Sequence, residues 1–221
     1  MCSSALRPRV RLELLPGLTP YDQAHARQLE LAALRRAGKA PDTLLLLEHP
    51  PVITLGRNAP AAGVLAPPAL LDRLGVPVRR IERGGQATLH APGQLVAYPI
   101  LRLPDLKLSV TRYVHGLEEI MIRTAAAFGV EAARRPGVVG IFAGQGKLGA
   151  IGVRVAGGVA FHGLAFNVST DLSLFRLIVP CGMAETPAVS LASLTGRAPE
   201  MAEVQKVMTG LFEEVMGVEV E

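Results

Sequence analysis

Three apolar runs of strand length, at residues 138–143, 147–155 and 159–168, follow one another with only short glycine-bearing breaks between them. Strands in runs, with helices set apart from them, point to an α+β fold rather than to repeated βαβ units. Ala156-Gly157-Gly158 between the last two reads as a hairpin turn, because glycine enters the positive-φ conformations such a turn requires. Further strands are expected at 10–15, 43–48, 52–56, 76–82 and 95–101. Thr19 as N-cap and Pro20 as first helical residue open a helix through Ala24, Leu31 and Leu34 that Gly38 closes, and a short helix follows at 70–74. The clearest helix is 109–128, with Val110, Tyr113, Val114, Leu117, Ile120, Met121, Ala125 and Phe128 on one face and Arg112, Glu118, Glu119 and Arg123 off that stripe. A last helix at 199–216 turns Met201, Val204, Met208, Leu211 and Val215 inward.

No repeat or linker divides these elements, and 221 residues suit one domain spanning 1–221. Hydrophobic residues at 49% and charged ones at 19%, without a block of like charge, describe an ordered chain with a sizeable core. No apolar run approaches the ~20 residues of a membrane helix, and the N-terminus lacks the apolar centre of a secretory signal. Cys2 and Cys181 make no disulfide framework, so a cytoplasmic location is expected. A net charge of +4 with only 4% aromatic residues argues against nucleic acid and is compatible with acidic protein partners.

The stretch 83–99, RGGQATLHAPGQLVAYP, is too rich in Gly, Pro and polar side chains to be core packing. Gly84, Gly85 and Gly93 let backbone approach a bound group, while Arg83, Gln86, Thr88, His90 and Gln94 supply donors and acceptors. It reads either as one wall of a site or as an ordinary loop joining two strands. Cys181 lies in IVPCGM, where Pro180 and Gly182 bracket the thiol in a turn; this suits a nucleophile, and equally a small buried hydrophobe. Lys147, alone among glycines at the head of an apolar strand, could activate such a thiol if it came within reach, or could simply end a strand in solvent. His90 or His162 could do the same in a Cys/His hydrolase. Metal is set aside, because His25, His49, His90, His115 and His162 lack close ligand spacing. Phosphate-loop and dinucleotide fingerprints are missing.

Four blocks in order, RGGQATLHAPGQLVAYP, GKLGAIGVRV (146–155), FHGLAFNV (161–168) and DLSLFRLIVPCGM (171–183), closely resemble the lipoyl(octanoyl) transferase family. The resemblance implies the fold shared with lipoate and biotin protein ligases, a mixed sheet flanked by helices around a pocket. It implies an ATP-independent acyltransferase without cofactor or metal, which moves octanoyl from octanoyl-acyl carrier protein to a lysine of lipoyl domains through a cysteine thioester. The acceptors would be 2-oxoacid dehydrogenase subunits and the glycine cleavage H protein. By resemblance Cys181 is the nucleophile and Lys147 the group that lowers its pKa. Substrate contacts map onto Arg83, Gly84, Gly85, Gln86, Ala87, Thr88, Leu89 and His90, onto Ala150, Ile151 and Gly152, and onto Gly163, Leu164 and Ala165. Leu89 and Ala91 depart from the aromatic residue and glycine common at those places, which bears on chain-length preference. An octanoyl tail buried at ~0.8 kcal/mol per CH₂ calls for an apolar slot. An ATP-dependent ligase, a non-catalytic acyl-binding module and a Cys/His hydrolase are the competing readings.

Overall fold

The computed structural model describes residues 7–179 and 186–221. Its elements in chain order are β1 (Arg9–Leu18), α1 (Tyr21–Arg36), β2 (Asp42–Glu48), β3 (Val52–Leu55), α2 (Pro68–Leu74), β4 (Val78–Arg80), β5 (Ala87–His90) and β6 (Gln94–Arg102). They continue with α3 (Val110–Ala127), β7 (Ala133–Arg135), β8 (Val138–Ala143), β9 (Gly146–Ala156), β10 (Val159–Asn167), α4 (Leu191–Thr195), α5 (Met201–Met216) and β11 (Glu219–Val220). Among the described residues these strands form one sheet of eight, ordered β11-β1-β2-β6-β10-β9-β8-β7, and one of three, ordered β4-β3-β5. The large sheet is parallel across β11, β1 and β2 and antiparallel from β2 to β7, so the fold is α+β with a mixed sheet, as expected. No helix among the described residues is long and apolar enough to cross a membrane.

Leu44 to Leu47 show how the layers form. Side chains alternate across a strand, so Leu44 and Leu46 face the cluster built with α3 and α5, whereas Leu45 and Leu47 face α1. Each buried leucine contributes about 1.5–3 kcal/mol, and together they fix β2 between two helical layers. The β9–β10 turn is a two-residue hairpin pairing Ala156 with Val159, with Gly157 and Gly158 at φ of 59° and 78°.

Several elements differ from their expected form. Pro20, not Thr19, caps α1, because Thr19 is tied by its backbone N–H to the Glu48 carbonyl at 2.9 Å. The expected strand 76–82 shortens to β4, which pairs parallel with β3 over Val78 to Arg80. In α5, Phe212 and Met216 are buried along with Val204 and Met208, while Met201, Leu211 and Val215 are half-buried against the same cluster. Along α3, Val110 is exposed and Glu118 is buried. The Glu118 carboxylate is satisfied there: Oε2 accepts from Arg134 Nε at 3.0 Å, and Oε1 accepts from the backbone N–H of Gly140 at 3.0 Å.

Candidate active site

The polar stretch 83–99 does more than join two strands. It contains β5, which pairs antiparallel with β3 and shares a cavity with the middle of β9 and β10. Alternation along β5 divides its work: Ala87 and Leu89 enter the apolar cluster of the small sheet, while Thr88 and His90 line a cavity. Ala150, Ile151 and Gly152 of β9 and Gly163, Leu164 and Ala165 of β10 form the apolar floor. Arg83, Gly85 and Gln86 form the wall with Tyr21, Tyr98 and His162. The cavity has a volume of about 40 Å³, and a second of about 20 Å³ adjoins it through the shared residues Thr88, Ala150 and Ala165. Lys147, Gln94, Asn167, Phe175 and Thr186 line that second part.

Glycines set how closely the Arg83 loop approaches. A Cβ at Gly56 would stand 2.4 Å from the Gly85 carbonyl oxygen, and one at Gly152 would stand 2.8 Å from Arg83 Cδ. Gly84 donates its N–H to the Val153 carbonyl at 2.9 Å, so it fastens the loop to β9 rather than lining the cavity. Arg83 is buried, with Nη2 donating to the Thr54 carbonyl at 2.8 Å and to Thr54 Oγ1 at 2.9 Å, and Nη1 donating to the Gly84 carbonyl.

Lys147 is not a strand-end lysine in solvent: it is 7% exposed. Its Nζ donates to the Val139 carbonyl at 3.2 Å and stands 5.6 Å from the Phe142 ring centroid. Gly140 makes room for it, since a Cβ there would meet Lys147 Cε at 3.0 Å and the Gly149 carbonyl at 2.6 Å. The Glu118 bond to the Gly140 amide therefore positions the backbone against which Lys147 packs. Lys147 N donates to the Pro187 carbonyl at 2.8 Å, and its carbonyl accepts from Val189 N at 3.0 Å. The lysine is thus bound directly to the chain just after residues 180–185. Cys181 lies outside the described residues.

The other end of the cavity is an aromatic and imidazole cluster. His49 Nδ1 is 2.6 Å from the Thr19 carbonyl, which can only accept, so Nδ1 carries the proton and Nε2 accepts from the Tyr98 hydroxyl at 2.9 Å. Gln94 Nε2 donates to the Leu89 carbonyl and Asn167 Oδ1, which leaves its Oε1 to accept from His90 Nδ1 at 2.8 Å. Asn167 in turn donates to the Val189 carbonyl at 2.9 Å, so one network runs from His90 to the chain beside Lys147. Burial pushes His90 and His162 below the ordinary imidazole value and His49 down to about 4. Between an unfolded value of ~6.5 and a folded value of about 4, the unfolded chain binds the extra proton. Stability from His49 is complete above the unfolded value and is lost as pH falls through the folded one. It should amount to about 3 kcal/mol, read as the difference between the protein and His49→Asn in how urea-unfolding free energy changes from pH 7 to pH 4.

Tyr21 and Tyr98, which line the cavity, were not singled out by sequence, nor was His49 behind them. Tyr21 lies on the helix after β1, far in sequence from the Gly-rich blocks, and no local pattern marks it. Tyr98 sits inside the 83–99 block but reads there as a strand residue.

Residues 20–213 match the family model for the lipoyl protein ligase A/B catalytic domain. The chain is 47% identical over 214 residues to an octanoyltransferase of Rubrobacter xylanophilus, covering 96% of both chains. Among solved structures it superposes on a lipoate-protein ligase A bound with ATP, with a TM-score of 0.75 and 18% identity over 98% of this chain and 88% of that one. It also superposes on a biotin protein ligase from Aquifex aeolicus, with a TM-score of 0.58 and 12% identity over 94% of this chain and 70% of that one. These two likenesses establish a shared fold.

Proposed function

The chain belongs to the lipoyl protein ligase A/B catalytic family and is an acyltransferase of its octanoyltransferase branch; from that premise we propose that it takes octanoyl as a thioester from acyl carrier protein, holds it on Cys181 and passes it to a lysine of a lipoyl domain without ATP. The observation that carries this reading is the buried side chain of Lys147, which lines a cavity continuous with an apolar floor, while its backbone is bonded to the chain that follows the Cys181 segment. In the first step the Cys181 thiolate, stabilised by the Lys147 ammonium, attacks the donor carbonyl carbon; the carrier's sulfur leaves and takes the proton of the Lys147 ammonium, which becomes a neutral amine. This exchanges one thioester for another and needs no nucleotide. In the second, the acceptor amine attacks the enzyme thioester, an amide forms, the Cys181 sulfur leaves, and Lys147 receives the proton that the amine loses.

The acyl tail would lie over Ala150, Ile151, Leu164 and Ala165, with Arg83 and Gly85 closing the wall. At ~0.8 kcal/mol per buried CH₂, it is held while carrier and acceptor exchange. The acceptors would be lipoyl domains of 2-oxoacid dehydrogenase subunits and the glycine cleavage H protein. These and the carrier are typically acidic, so a net charge of +4 favours encounter with both in the cytoplasm.

Intact-protein mass after mixing with octanoyl carrier protein, and again after adding an unmodified lipoyl domain, follows the acyl group directly. One octanoyl adduct is expected, absent in Cys181→Ala and passed to the lipoyl domain with no ATP present. Product formed only from free octanoate plus ATP would assign ligase chemistry instead. Free octanoate as the main product, with a lipoyl domain supplied, would indicate a hydrolase.

A further inference from the structure

Three side chains distant in sequence converge beside the cavity: His25 from α1, Glu82 from the loop after β4, and His162 from β10. We propose that they form a binding site for one divalent transition-metal ion of the zinc type, which braces the Arg83 wall of the cavity against α1 and β10. The inference is independent of the transfer chemistry.

His25 Nε2 lies 3.0 Å from Glu82 Oε1, and His162 Nε2 lies 3.3 Å from the same oxygen. All three ligand atoms lie within 4.8 Å of one another, and among the described residues this is the one His, Cys, Asp or Glu group so arranged. Tetrahedral zinc with bonds of about 2.0–2.1 Å places neighbouring ligand atoms about 3.3 Å apart, close to both measured separations. Small adjustments of the side chains would therefore admit an ion.

His162 supplies the second observation. Its side chain is 2% exposed, yet Nε2 makes no hydrogen bond despite its approach to Glu82. A buried ring nitrogen that has a carboxylate nearby but makes no hydrogen bond is costly, and a metal ion between the two groups would satisfy both. The backbone there is left-handed, at φ 57°, within a strand, and the His162 N–H is held by Gln28 Oε1 at 2.8 Å. Such strain persists only where the surroundings impose it, and it collects at functional positions. Two imidazoles and one carboxylate favour zinc, cobalt or nickel over magnesium or calcium, which prefer all-oxygen shells. Glu82 is the most exposed of the three, at 35%, and leaves an approach for a water as fourth ligand.

Zinc titration by calorimetry, on a Cys2→Ser/Cys181→Ser background to remove thiol ligands, tests the proposal. One ion per chain is expected. Affinity should fall at least roughly 100-fold in His25→Ala and in Glu82→Gln, since even outer-shell partners cost 10–100-fold. Cobalt should give the intense visible bands of a tetrahedral nitrogen and oxygen site, and zinc should raise the thermal midpoint of the parent but not of these variants. Circular dichroism without metal verifies that each variant is folded. No binding to the parent, or equal affinity in parent and both folded variants, overturns the site.

Discussion

Lys147→Met should lower octanoyl transfer by roughly 10²–10⁴-fold, the range that a positioned proton-transfer group supplies, while leaving the fold intact. Methionine keeps the apolar stem that fills the space beside Gly140 and Phe142 and removes the amine. The loss should divide between two steps. Without a neighbouring ammonium the Cys181 thiol titrates higher, so its iodoacetamide reactivity should shift to higher pH. Without a base, transfer from preformed acyl-enzyme to the lipoyl domain should slow as well. An unchanged alkylation profile would break the coupling proposed between Lys147 and Cys181; a normal transfer rate would remove Lys147 from the chemistry altogether.

Gly163→Ala is expected to cost more stability than any single methyl elsewhere on the cavity floor, about 3 kcal/mol or more by urea unfolding. A Cβ at Gly163 would stand 2.1 Å from the Ala97 carbonyl oxygen and 2.8 Å from Pro99 Cδ. Both belong to β6, which pairs with β10 in the middle of the sheet through Leu164↔Ala97. Relief would require the two central strands to separate, and the floor of the acyl slot would move with them. Gly210→Ala in the exposed face of α5 provides the contrast: its Cβ meets nothing within 4 Å, so it should stabilise by about 0.5–1 kcal/mol. Equal effects at the two positions would show that lost backbone freedom, rather than crowding between β6 and β10, governs Gly163.

Strand and helix identities were legible because they follow from local periodicity. β8, β9 and β10 lie within one or two residues of their expected limits, and Ser109 caps α3 by accepting from Arg112 N at 3.2 Å. The Gly-rich blocks were legible as cavity walls for a related reason: glycine among apolar strand residues marks close backbone approach, and Gly152 and Gly163 serve that purpose. Illegible were features set by sheet order. Glu118 reads as a solvent residue on α3, but Arg134, 16 residues away, and the Gly140 amide, 22 away, make its burial affordable.

The amino-acid sequence by itself determined the α+β class, the family, and which residues could bring chemistry, Lys147 and Cys181 foremost, because these depend on residue type and short-range order. Tertiary structure alone decided which side chains share a cavity. Packing of the chain on itself, with α1 laid against β6 and β10, brings Tyr21, His90 and His162 to one space, and it sets the N–H of His162 on Gln28 across 134 residues of chain. It also turns Ala87 and Leu89 away from the cavity while Thr88 and His90 face it. The physical reason is that a strand's alternation creates two faces without saying what covers either one, and only packing against the rest of the chain makes one face core and the other a site.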